Sequence, residues 1–65
     1  MTQSHLKELR RAQKLTQEEL ASRTGISVRT IARYEKDASM LRRAKYDTLK
    51  EIAEQLSVTV NDIFT

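Results

Sequence analysis

At 65 residues the chain suits one domain and is too small to enclose a deep catalytic cleft. It has no Cys, which removes disulfide frames and thiolate metal sites, and its lone His5, expected on the surface, cannot alone build a zinc site or a hydrolytic triad. Twelve Lys and Arg against nine Asp and Glu leave a net charge of +3, so the placement of basic residues says more about an anionic partner than their total.

With no Pro and one Gly among abundant Leu, Ala, Glu, Lys, Arg and Gln, the composition favours helix throughout. The first helix is predicted to open between Thr2 and Ser4 and to run to Gln13. Leu6 and Leu9 form its apolar stripe, with Arg10 on the same face, and Leu15 enters the core from the turn. Thr16 opens the second helix and completes a capping box with Glu19. Leu20 and Ala21 face inward, and the helix stops at Thr24–Gly25, where Gly suits a left-handed backbone.

Ile26 is the expected buried turn residue and Ser27 the N-cap of a third helix, Val28–Lys36. On that helix Ile31, Tyr34 and Glu35 share one face, and Val28, Arg29, Ala32, Arg33 and Lys36 share the opposite one. Asp37–Lys45 has no clean period and reads as a loop. A fourth helix, Tyr46–Leu56, carries the stripe Tyr46, Leu49, Ile52, Ala53, Leu56. Thr59 caps a last short helix, with Asp62 in a box-like position and Ile63 returning to the core, which makes five helices in all.

The window Gln17–Lys36 meets each demand of a helix-turn-helix. Ala21 is small where the helices cross, Gly25 makes the turn, Ile26 anchors it, and Ile31 and Tyr34 point back at the preceding helix. The second helix of such a unit can enter the major groove of DNA. Arg29 and Arg33, one helical turn apart, could both face the groove, where Arg matches guanine in a pairing worth about 1–3 kcal/mol. Val28 suits a thymine methyl. A second basic group, Arg42, Arg43 and Lys45, follows in the predicted loop. Arg10 and Glu35 are lone charges on apolar faces, and the economical expectation is that they neutralise each other.

The segments LKELRRAQKLTQEELA, GISVRTIARYEKD and TLKEIAEQLSVTVNDIF carry a resemblance that covers nearly everything from Leu6 to Phe64. The chain resembles the Cro and phage-repressor type of DNA-binding domain, an all-α, λ-repressor-like five-helix fold. That resemblance implies base contacts from Ser27, Val28, Arg29, Thr30 and Arg33. It implies phosphate contacts from Thr16 and Gln17 at a helix start, and from Lys36, Arg42, Arg43 and Lys45, with Arg10 touching a phosphate besides bridging to Glu35. Arg11 and Lys14 are candidates for the other strand. The resemblance further implies a cytoplasmic bacterial or phage regulator, most simply a repressor of double-stranded DNA, with no enzymatic activity, cofactor, metal or small-molecule ligand.

One unit reads few base pairs, so a homodimer on a two-fold symmetric operator is expected, with Val58–Phe64 as the contact. Alternatively Phe64 folds back onto its own core. A different class of function is a protein-interaction module of the same fold, such as an antitoxin or antirepressor. The arginine-rich outer face weighs against it, because protein-binding faces are richer in aromatic and apolar anchors. Tyr34, Tyr46 and Phe64 are too few and too core-like to stack single-stranded RNA. No apolar run approaches the ~20 residues of a membrane span, and MTQSHLKELRR lacks a signal peptide's apolar stretch, so a soluble, intracellular protein is expected.

Three features depart from the family pattern. Lys14 stands where Gly is frequent, Ala44 and Lys45 replace a frequent Pro and a Ser or Thr cap, and the loop from Lys36 to Ala44 is a few residues longer.

Overall fold

Side-chain caps decide where most helices begin in the computed structural model, which describes residues 4–64. Among the described residues there are six helices and no strand: α1 (Leu6–Ala12), α2 (Gln17–Thr24), α3 (Val28–Lys36), α4 (Ala38–Arg42), α5 (Tyr46–Gln55) and α6 (Val60–Ile63). On α2 the Thr16 hydroxyl accepts from the Glu19 amide at 3.0 Å, while the Thr16 amide donates to Glu19 Oε1 at 2.8 Å. Thr59 and Asp62 repeat this box on α6 at 3.2 and 3.0 Å. The Ser27 hydroxyl accepts from the Thr30 amide at 3.1 Å and opens α3. Each cap satisfies amides that a helix start leaves without partners. The predicted opening of the first helix between Thr2 and Ser4 falls partly on residues 1–3, outside the described residues; the described helix begins at Leu6.

Helix ends depend on backbone as much as on caps. Gly25 takes the left-handed conformation after α2, at φ 73°, and its amide donates to the Ala21 carbonyl. Lys14 and Ser57 adopt the same region at φ 58° and 59° without Gly's freedom. Both close the paired bonds of a Schellman turn. The Lys14 and Leu15 amides return to the Arg11 and Arg10 carbonyls at 2.9 and 3.2 Å, and those of Ser57 and Val58 to Glu54 and Ala53 at 3.2 and 3.0 Å.

The core takes at least one fully covered side chain from every helix: Leu6, Leu20, Ile31, Leu41, Ile52 and Ile63, with Leu56 beside them. Packing places α3 against α1, α2 and α4, with α5 behind α2 and α6 on α5. Three neighbours therefore hold α3 from within.

Three expectations need correction. The predicted five helices are six, because the stretch read as a loop contains α4. Asp37 caps it, accepting from the Ser39 amide at 2.9 Å and its hydroxyl at 2.7 Å, and Leu41 is wholly buried. Five residues with one buried apolar position show no period to read. Tyr46, placed in the apolar stripe of its helix, is 66% exposed. It is the first residue of α5 and stands beyond the core that Leu49, Ile52 and Ala53 enter. Ile26 and Leu9, expected inside, are half-buried and pack on the core's rim. Phe64 also packs on its own core, with the Arg42 guanidinium 5.8 Å above its ring centroid.

Candidate nucleic-acid interface

The side of α3 turned away from its neighbours is basic. Arg29, Arg33 and Lys36 are exposed, Val28 is 37% exposed, and Ala32 between them is half-buried. Among the described residues neither Arg29 nor Arg33 has an ion-pair partner, so both guanidinium forks are free. At the start of the helix the Ser27 hydroxyl donates to Thr30 Oγ1 at 2.9 Å while holding the Thr30 amide. These two expected base-contacting residues are thus tied to each other, and Thr30 is half-buried.

Beneath this face lies a buried ionic lock. Arg10 Nε donates to Glu35 Oε2 at 2.6 Å and its Nη2 to Oε1 at 3.2 Å, with the residues 8% and 5% exposed. Arg10 Nη1 donates to the Leu15 carbonyl at 2.7 Å, and Gln17 Nε2 donates to Glu35 Oε1 at 3.0 Å. The cluster joins α1, the turn after it, α2 and α3 through one carboxylate. Removing either ion would strand the other in the interior, at a cost of about 3–5 kcal/mol. Arg10 Nε, Nη1 and Nη2 are each engaged by these partners, so its expected phosphate contact would compete with the lock. Gln17, expected at a phosphate, has one amide hydrogen on Glu35 and a second still available.

Two open hollows flank the outer face. One is lined by Lys7, Gln17, Ala32, Glu35 and Lys36, the other by Ala32, Arg33, Lys36, Asp37 and Met40. Lys36 borders both. Lys7 is a basic residue that sequence reasoning missed, because nothing in the spacing of α1 announces that it meets α3. Thr16, expected at a phosphate, is exposed at the start of α2 with its hydroxyl in the capping box. Arg43 and Lys45 are exposed, while Arg42 leans on Phe64 at the far end of α4. Arg11 and Lys14 are exposed as well. Lys45 precedes α5 without a side-chain cap, a consequence of the missing Ser or Thr.

Among the described residues no group of His, Asp and Glu could hold a metal ion, and no helix is long and apolar enough to cross a membrane. Two linked helices, a Gly turn and an uncovered basic helix face define a helix-turn-helix domain. A family model described as Helix-turn-helix matches residues 6–63, and the chain belongs to that family, the Cro/C1-type DNA-binding regulators. No curated protein and no solved structure matches the chain.

Proposed function

We propose that the chain is a sequence-specific repressor of bacterial or phage transcription that binds a palindromic operator as a dimer and acts by binding alone. The observation that carries this proposal is the outer face of α3, where two unpaired arginines lie to one side of exposed Val28 over an inner face fixed by the Arg10–Glu35 lock. Arg29 and Arg33 supply guanine contacts and Val28 a thymine methyl contact. Ser27 and Thr30 contribute at the same edge through whatever donor or acceptor their mutual bond leaves free. Phosphates are held by Thr16, Gln17, Lys36, Arg42, Arg43 and Lys45. Lys7 joins that group, since its hollow also contains Gln17 and Lys36.

Size supports two copies. The longest extent of the domain is 25 Å, shorter than the ~34 Å between half-sites one helical turn apart. One molecule therefore covers one half-site. Repression is the simplest outcome, because occupying a promoter needs no further contact surface, whereas activation does. Selection from a random duplex pool tests the whole proposal. The expected product is a motif with two-fold symmetry and half-site centres about 10 base pairs apart. A pool without enrichment rules out sequence-specific binding, and an asymmetric motif rules out the symmetric dimer.

A further inference from the structure

The last turn of α3 is closed by a residue from outside the helix-turn-helix. A helix leaves its final four carbonyls without internal partners, and many helices close them with a left-handed residue. Here Asp37 is extended instead, at φ −137°, and its amide reaches only the Arg33 carbonyl, at 3.0 Å. The next two carbonyls are taken by Ser4. Its hydroxyl donates to the Tyr34 carbonyl at 2.6 Å, and its amide donates to the Glu35 carbonyl at 3.2 Å. The same hydroxyl accepts from the Leu6 amide at 3.3 Å, so one side chain serves the first amide of α1 and a carbonyl at the end of α3 together. Ser4 is 9% exposed, so water does not compete freely for these bonds.

We propose that Ser4 is a positioning residue for DNA recognition, holding the end of α3 that carries Arg33 and Lys36 at a fixed angle to α1. The inference rests on the proposed function only in taking α3 as the reading helix. Glu35 shows why the two locks act as one device. Its carboxylate is held by Arg10, and its carbonyl by Ser4, both from the α1 side of the molecule. The first resists translation of α3; the second resists fraying and roll of its final turn. A hydroxyl is required because the group must donate to a carbonyl and accept from an amide at once.

The test compares Ser4→Ala, Ser4→Cys and Ser4→Thr in the full chain, at temperatures where unfolding curves show each variant folded. Two quantities are read: the ratio of affinities for the selected and random duplexes, and hydrogen exchange at the Glu35, Lys36 and Asp37 amides. Ser4→Ala is expected to lower the affinity ratio about fivefold and to speed exchange in that turn. Ser4→Cys, a weaker donor of similar size, lies between, and Ser4→Thr restores both. A cap that serves stability alone lowers Tm and leaves the affinity ratio at its wild-type value, which overturns the proposal. If Ser4→Ala does not fold, a wild-type ratio in Ser4→Cys overturns it equally. Unchanged exchange in α3 overturns the clamp itself without reference to DNA, whereas a wild-type chain that binds no duplex overturns the DNA function and the positioning role with it.

Discussion

In the proposed interface, Arg29 and Lys7 would divide the two kinds of work a DNA-binding face performs. Arg29 lies on the outer side of α3 with no competing ion pair, so its fork is available to a single base pair. Arg29→Ala is expected to cost about 1–3 kcal/mol on the selected operator and to relax preference at one position. Competition among operators differing by single bases measures this, and uniform weakening across them would reassign Arg29 to the backbone. Lys7 is exposed beside Gln17 and Lys36, where a phosphate would meet two ammonium groups and an amide, next to a Glu35 carboxylate already paired with Arg10. Lys7→Ala should weaken matched and random duplexes equally and flatten the slope of log affinity against log salt by about one. A slope equal to the wild type removes Lys7 from the interface. Because the Lys7 side chain has no hydrogen bond or ion pair among the described residues, the variant's thermal stability should be unchanged, which keeps the two readouts separate.

At the scale of elements, the turns hold backbone strain and the helix starts hold caps that respond to acid. Lys14 and Ser57 hold left-handed backbones, which side chains with a Cβ disfavour by about 1–2 kcal/mol. Lys14→Gly and Ser57→Gly relieve that strain and lose part of the gain to the greater freedom of Gly in the unfolded chain. Each should raise Tm by a few degrees in calorimetry; a fall in both would mean the side chains contribute more than the backbone costs. The caps respond to acid. The Thr16 amide and hydroxyl lower the pKa of Glu19, the Thr59 amide and hydroxyl lower that of Asp62, and Ser39 does so for Asp37, chiefly through its hydroxyl. Their folded values lie below the unfolded ones, so their contribution is complete above the ordinary carboxylate range of about 4 and disappears as pH falls through the lowered values. Melting curves should lose Tm below about pH 4, and replacing the three by Gln or Asn should flatten that limb. The Thr16, Ser27 and Thr59 caps are legible as residues, since Ser or Thr before a helix, with Glu or Asp three positions later at two of them, announces itself. Gly25 was legible for the same reason. The Asp37 cap was hidden because it ends one helix and opens a five-residue one, too short for periodicity to register. Tyr46 was misplaced because a helical stripe gives direction around the axis but not where the core stops along it. The roles of Lys7 and Ser4 are set by contacts between distant segments, which no local spacing encodes.

At the scale of the whole domain, the proposed reading helix is braced by three neighbours, and the carboxyl-terminal end offers little for the proposed self-association. Val58, Val60 and Phe64 are half-buried against their own core, and Arg42 covers part of the Phe64 ring. Little apolar area at the carboxyl-terminal end remains for a second copy, and stable interfaces bury at least ~1,200 Å² in total. Each copy would contribute about 600 Å² of that from an accessible surface of 4457 Å², so apolar character rather than total area is what the carboxyl-terminal end lacks. The dimer should therefore form on DNA, where two adjacent half-sites supply the effective concentration that protein contact alone does not. Sedimentation at micromolar concentration should find a monomer, and a duplex with both half-sites should bind about 10²–10⁴-fold more tightly than one with a single half-site. A tight dimer in free solution would show that the carboxyl-terminal surface associates more strongly than its burial indicates. Equal affinity for one half-site and two would remove the dimer altogether, and the specificity of a single α3 would then have to suffice.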